Sequence, residues 1–156
     1  MPGERPISSF PMPKGRNKEL NSFVENMIKI KCVWDPIRNQ DGLRILATRF
    51  RGRGLPRSRC DIWMASLAPS ERLLSDFQSQ KITWGEFGRR YRKELKQSLS
   101  SDKSNWRIKN YGQKFSLRLI QLLGKRGPVT LMCHCETSQK QCHTKNLKKI
   151  LSAKIS

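Results

Sequence analysis

The sequence predicts an α/β domain: a small open sheet, at least partly parallel, flanked by helices. Three observations predict it. Apolar stretches of strand length stand at 28–34, 43–50 and 129–133. The segments around them repeat apolar residues every three or four positions, the period of a helix with one buried face. Glycine, proline or a capping residue marks most of the joins. Strands interleaved with helices define the class.

Residues 1–16, broken by Pro2, Pro6, Pro11 and Pro13, read as a disordered leader. Asn17 can cap a short helix through Asn26 with Leu20, Phe23, Val24 and Met27 on one face. The expected organisation is an extension over 1–26 and a single α/β domain over 27–156. Ile28 to Trp34 alternates apolar and basic residues as a half-buried strand does. Asp35-Pro36 and Asp41-Gly42 punctuate a loop, and Leu43–Phe50 (LRILATRF) forms the second strand. The gap between these strands is shorter than the dozen or so residues of a parallel crossover. They are therefore either antiparallel or not neighbours.

Arg51-Gly52-Arg53-Gly54-Leu55-Pro56 is a loop. Ser58, with Asp61 three residues on, predicts a capped helix carrying Ile62, Trp63 and Leu67. Pro69-Ser70 restarts the chain for a short helix with Leu73, Leu74 and Phe77. Thr83 and Glu86 form a capping box that opens a helix through Leu99, its apolar face being Trp84, Phe87, Tyr91, Leu95 and Leu99. Another helix spans Gln113 to Leu123, with Phe115, Leu119, Ile120, Leu122 and Leu123 apolar and Gly124 stopping it. Gly127-Pro128 leads into the strand Val129–Cys133. A last helix begins near Gln141 and buries Leu147, Ile150 and Leu151.

Charge narrows the function. Thirty-two Lys plus Arg stand against twelve Asp plus Glu, a net charge of +20. Residues 1–26 contribute almost none of it, because Arg5, Lys14, Arg16 and Lys18 are nearly balanced by Glu4, Glu19 and Glu25. The excess lies on the domain. Like charge opposes compaction and is usually offset by an anionic partner. Nucleic acid, DNA or RNA, rewards Lys and Arg through counterion release. No stretch approaches the ~20 apolar residues of a membrane span, and the leader lacks the apolar run of a signal peptide. Five cysteines, three of them within 133–142, do not make a secreted disulfide framework. A reducing, cytoplasmic setting is expected, with no membrane partner.

Three segments carry candidate chemistry. Arg44, Arg49, Arg51, Arg53, Arg57 and Arg59 run with no acidic residue among them, and arginine's planar fork suits phosphate. Glycines at 52 and 54 would let a ligand approach the backbone, and the helix expected next would add a positive N-terminus. The second segment puts Arg89, Arg90, Arg92, Lys93 and Lys96 on the outer face of a helix, followed by Lys103, Arg107, Lys109, Lys114 and Arg118. Such a surface tracks phosphates without reading bases. Trp106 and Tyr111 between those charges either stack on unpaired bases or, as the stronger expectation, pin the loop to the core.

The third is Cys133-His134-Cys135 with Cys142-His143. Four ligands from Cys133, Cys135, Cys142 and His143 could hold zinc. Alternatively, a helix N-terminus and nearby cations make Cys142 or Cys135 a thiolate nucleophile with His143 as acid or base. The remaining alternative is buried cysteines acting as small hydrophobes, which is also the reading for Cys32 and Cys60. If the strands ending at Phe50 and Cys133 are parallel neighbours, their loops meet at one sheet edge, an anion pocket beside a thiol or metal.

With these residues in view, the chain resembles the domain-of-unknown-function 488 family, in its small-protein branch. The carrying motifs are Leu43–Arg49, Arg51-Gly52-Arg53-Gly54, Asp61-Ile62-Trp63, Ala68-Pro69-Ser70, the helix Trp84, Phe87, Tyr91, Glu94-Leu95, and Val129–Cys135 with Cys142-His143. The resemblance implies an α/β domain with a site near Arg49, Arg53 and His143, and it names no reaction. Thr48 stands where the family usually has aspartate, and Arg51-Gly52 where it has tryptophan-proline. Both departures favour a polyanion surface. The expectation is therefore a largely sequence-independent nucleic-acid-binding protein. The alternative is a thiol- or metal-dependent enzyme acting on a nucleic-acid or phosphorylated substrate at the Cys/His cluster.

Overall fold

A computed structural model describes residues 17–96, 113–136, 138–153 and 155. The expectations for residues 1–16, for the helix end at Leu99, and for Lys103, Trp106, Arg107, Lys109 and Tyr111 lie outside the described residues.

Helix α1 (Asn17–Met27) runs directly into β1 (Ile28–Cys32). The other strands are β2 (Leu43–Leu46), β3 (Ile62–Trp63) and β4 (Val129–Cys133). The remaining helices are α2 (Glu71–Gln78), α3 (Trp84–Leu95), α4 (Lys114–Gly124) and α5 (His143–Ser152). The strands form one open sheet in the order β1-β4-β2-β3, and every described pairing is parallel. The fold is α/β.

The sheet order resolves the short gap after β1, since β4 lies between the first two strands. Residues 33–42 return the chain to the start of β2 with only a 3-10 turn at Asn39–Asp41. Gly42 makes that return feasible. Its φ is +63°, and a Cβ there would sit 1.9 Å from the carbonyl oxygen of Pro128, which accepts the Leu43 N–H at 3.0 Å.

β4 is buried at every position, as a central strand must be. On one face, Ile28, Ile45, Val129 and Leu131 meet Leu73 from α2, Phe87, Tyr91 and Leu95 from α3, Leu117 and Ile120 from α4, and Leu147, Ile150 and Leu151 from α5. Each large apolar side chain buried there contributes about 1.5–3 kcal/mol. The opposite face carries a smaller cluster of Val33, Leu46, Leu55, Cys60 and Met132, drawn from strands and loops.

The helix predicted from Ser58 does not form. The 3-10 turns Arg57–Arg59 and Ala65–Leu67 flank a short strand instead. Asp61, expected to serve a capping box, accepts three hydrogen bonds from Arg44, from its backbone N–H (2.8 Å), Nε (3.2 Å) and Nη2 (2.8 Å). Ile62 and Trp63, one β-branched and one aromatic, pair with the open edge of β2. The helix N-terminus expected to support the arginine loop is absent with it. β2 itself ends at Leu46, four residues short of the predicted Phe50, and beyond it the Thr48 hydroxyl donates to the Phe50 carbonyl (2.7 Å).

Thr83 caps α3 as predicted, and Ser70, expected only to restart the chain, caps α2; they accept from the Glu86 and Leu73 N–H groups, each at 3.2 Å. The Glu86 carboxylate does not complete a reciprocal box; Arg89 and Arg90 take it at 2.7–2.8 Å. α3 closes at Leu95, with Lys96 as its cap. α4 buries Leu117, Ile120 and Gly124. Phe115, Leu119 and Leu122, predicted for the core, are 55–61% exposed. The helix holds more apolar residues than one inward stripe can take.

Candidate functional site

Because the strands are parallel, all four deliver their carboxyl ends to one edge of the sheet, the usual ligand edge of open α/β folds. β2 and β4 are direct neighbours, so the loops that follow them meet there, as the sequence predicted for neighbouring parallel strands. Between them lies a pocket of about 280 Å³. Thr48, Arg49, Phe50, Ala68, Pro69, Leu74, Gln78, Cys133, His134, Cys135 and His143 line it.

The thiols converge. Cys133 ends the buried strand β4, Cys135 follows two residues on, and Cys142 occupies the N-cap position of α5. Their three sulfurs lie within 4.8 Å of one another. Cys133 Sγ approaches Cys142 Sγ at 3.2 Å, and the Thr144 hydroxyl lies 3.1 Å from Cys142 Sγ. Cys133 and Cys142 are buried, and Cys135 is half-buried.

Electrostatics separate the three. Hydrogen bonding from Cys133 holds the Cys142 thiol well below the ordinary thiol range, helped by His143 and Thr144 and opposed by burial. The same bond raises Cys133, as burial also does. Burial raises Cys135, and the charge on Cys142 adds to it. The cluster therefore favours one thiolate, at Cys142, served by neighbouring donors.

His143 is oriented by the fold. Its Nε2 lies 2.5 Å from the carbonyl oxygen of Ala47, so that nitrogen carries the proton. Tyr91 packs edge-on against its ring at 6.2 Å and anchors its own hydroxyl on the Leu67 carbonyl. His134 lies opposite, its Nε2 3.1 Å from the Arg51 carbonyl. Gly52 permits that contact, for its φ is +93° and a Cβ would come within 2.7 Å of the imidazole.

The three thiols could hold a metal ion. Tetrahedral zinc with Zn–S bonds near 2.3 Å needs four ligands, of which Cys133, Cys135 and Cys142 would supply three. His143, the fourth ligand considered from the sequence, is not part of that sulfur cluster, and with Nε2 bonded to the Ala47 carbonyl it could offer only Nδ1.

The arginines divide. Arg49 lines the pocket, its guanidinium bonded to the carbonyls of Ala68 (3.1 Å) and Pro69 (2.9 Å). Arg44 is committed to Asp61, and Arg51 to the Leu55 carbonyl at 2.6 Å. Arg59 donates to the carbonyls of Trp34 and Asp35, at 3.3 Å each. Arg53 and Arg57 are exposed and pair with no other described residue. On α3, Arg89 and Arg90 pair with Glu86, and Arg90 also with Asp76 at 3.6 Å, while Arg92 and Lys93 are exposed. Lys96 and Lys114 are half-buried, and Arg107 and Lys109 lie outside the described residues.

Sequence reasoning missed three contributors. Cys32, read as isolated, stands in register with Cys133 and points its sulfur to the His134 carbonyl at 3.7 Å. The Thr144 hydroxyl and the Ala47 carbonyl fix the thiol and the imidazole. Only the strand order brings Cys32 to the site; Thr144 was visible as a hydroxyl in the first turn of the last helix.

Fold and site together define a parallel α/β domain with a Cys/His loop at the carboxyl edge of its sheet. The chain belongs to the DUF488-N3a family, described as the active DUF488-N3 subclade, whose family model matches residues 28–155. A relative is the uncharacterized protein YeaO of Escherichia coli (strain K12), 30% identical over 95 residues, which are 60% of this chain and 80% of YeaO. No solved structure matches the chain.

Proposed function

We propose that the chain is a thiol-dependent enzyme acting on nucleic acid. One observation carries the reading: the Cys142 sulfur has Cys133 Sγ at 3.2 Å and Thr144 Oγ1 at 3.1 Å, although it takes no cap hydrogen bond from α5. Donors gathered on one sulfur stabilise the thiolate, which is the nucleophilic form. His143 is the acid–base partner. Cys142 is buried and does not itself line the pocket, so an electrophilic carbon or phosphorus would have to reach it past the half-buried Cys135, while Arg49 in the pocket wall offers its remaining donors to a phosphate. The net charge of +20 favours a polyanionic substrate.

The test is site-resolved alkylation with iodoacetamide at neutral pH, followed by peptide mapping. Preferential labelling of Cys142, persisting at mildly acidic pH where an ordinary thiol is protonated, supports the reading, and preferential labelling of Cys135 counts against it. Uniformly slow labelling of all three overturns it.

Nucleic-acid binding without chemistry is the second reading, favoured by Arg53, Arg57, Arg92 and Lys93, which are exposed and lack a described carboxylate partner. It requires binding to DNA or RNA that weakens steeply with salt, each phosphate contact adding about 0.9 to the log–log slope on duplex DNA. Absence of binding at low salt removes both readings. Zinc would sit on Cys133, Cys135 and Cys142, leaving one position for water or substrate. Metal analysis of the purified protein decides whether it is there.

A further inference from the structure

The carboxyl edge of the sheet exposes aromatic rings as well as thiols. Trp34, just past the end of β1, is 51% exposed; Phe50, past the end of β2, is 68% exposed; Trp63, the last residue of β3, is 44% exposed. Rings of this size are normally buried, and exposed ones gathered together mark an interaction surface. Parallel topology places all three at the edge that holds the thiol pocket. Phe50 lines that pocket. Trp63 is tied to its wall, donating Nε1–H to the Thr48 carbonyl at 2.8 Å.

Cations interleave with the rings. The Arg59 guanidinium lies 5.6 Å from the centre of the Trp34 ring, and its Nη1 also bonds the Trp34 carbonyl. Arg53, in the loop that leaves β2, is exposed and without a described partner, and Arg57, equally exposed, lies further along that loop next to Ser58, whose carbonyl Arg44 of β2 holds. A protein partner burying aromatics would need carboxylates for these guanidinium groups. A duplex would offer phosphates, but its bases are already stacked and leave the rings uncovered. An unpaired strand satisfies both, with phosphates on the arginines and base faces on the rings.

We propose that this edge binds single-stranded nucleic acid, stacking successive bases on Trp34, Phe50 and Trp63 and so leading one nucleotide to the mouth of the thiol pocket. The proposal rests on the nucleic-acid reading above and narrows it to an unpaired strand. DNA and RNA share the chemistry, and the experiment separates them.

The experiment measures binding of the full chain to three probes of equal length, a single-stranded DNA, the same sequence as RNA, and the DNA duplex, across a salt series. Tryptophan fluorescence is followed alongside, together with the variants Trp34→Ala and Phe50→Ala. The expected result is tighter binding of one or both single strands than of duplex, with tryptophan quenching. Each variant should lose roughly five- to a hundredfold on single strands, the measured range for a stacked base, and change little on duplex. Because the rings are exposed, thermal melting should confirm that both variants stay folded. Equal affinity for strand and duplex, or variants that leave single-strand binding intact, overturns the proposal while the nucleic-acid reading stands. No binding to any probe overturns that reading as well.

Discussion

His143 donates its Nε2 proton to the carbonyl of Ala47 across 2.5 Å, joining the start of α5 to the residue that follows β2. A carbonyl only accepts, so Nε2 carries a proton, and Nδ1 is the nitrogen left for the thiols, donating to a thiolate only when it carries a proton as well. The Cys142 thiol is held down by Cys133 first, and then by His143 and Thr144. The device joins two elements far apart in sequence, so it exists only in the folded chain.

Replacing His143 with Gln should therefore move the Cys142 titration upward, toward the ordinary thiol value of about 8.5. The direction follows from the chemistry: the protonated imidazole lowers the thiol through its hydrogen bond and its charge, and removing it favours protonation of the sulfur. Alkylation at about pH 6 should fall only once the midpoint, about 3 in the parent, rises past that pH, then by roughly tenfold for each further unit, and recover at alkaline pH. An unchanged pH profile would show that the imidazole does not touch the thiolate's energy.

Cys133 should act through its proton. Cys133→Ser keeps a donor near the Cys142 sulfur, whereas Cys133→Ala removes it. The alanine variant should raise the Cys142 titration more than the serine variant does. Thiolate ultraviolet absorbance against pH reads the difference, and equal rises would refute a hydrogen-bonding role.

The fold was legible wherever periodicity and caps agreed. Ser70 and Thr83 opened their helices at the predicted residues, and Val129–Cys133 is the predicted strand. The failures share a cause in tertiary competition. Ser58 and Asp61 resemble a cap locally, but Asp61 serves Arg44, seventeen residues back, and β2 offers Ile62 and Trp63 a strand partner. Such a choice depends on a contact that no local window contains. The site followed the same rule: the Cys/His cluster was visible by proximity in sequence, while Cys32 needed the order β1-β4-β2 to reach it. The arginine run was visible too, but which guanidinium groups are already committed to Asp61 or to carbonyls was not.

Gly52 and Gly54 offer a matched pair. Both have positive φ, +93° and +76°, but a Cβ at 52 would strike the His134 ring at 2.7 Å, whereas at 54 it meets nothing within 4 Å. Gly54→Ala should cost only the backbone penalty of about 1–2 kcal/mol. Gly52→Ala should cost more and displace His134 from the Arg51 carbonyl. Denaturant unfolding measures the costs, and the His134 proton resonances report the displacement. Equal costs would refute the close approach.

The pair Arg44–Asp61 predicts an acid limb in stability. The Arg44 guanidinium holds the Asp61 carboxyl below its ordinary range, through the side-chain hydrogen bond first, with burial opposing. A depressed carboxylate stabilises the fold above the unfolded-state pKa of about 3.9, and that contribution is lost as pH falls through the lower folded value. Asp61→Asn should thus be less stable than the parent at neutral pH and converge with it in acid. The pair is partly exposed, so solvent screening keeps the neutral-pH difference to about 1 kcal/mol or less from charge alone. Parallel stability curves down to low pH would refute the linkage.

α4 separates burial from hydrophobicity in one helix. Ile120 is 1% exposed and sits among the residues that α5 and the sheet bury, whereas adjacent Leu119 is 55% exposed. Truncating a buried isoleucine removes its transfer energy and leaves a cavity, so Ile120→Ala should cost about 2–5 kcal/mol. Leu119→Ala gives up little burial and places the best helix former in an outward position, for a change of about 0.5 kcal/mol or less. Thermal and denaturant unfolding of the two variants check the contrast. A large loss from Leu119→Ala would mean that the outer face of α4 is covered in the folded protein.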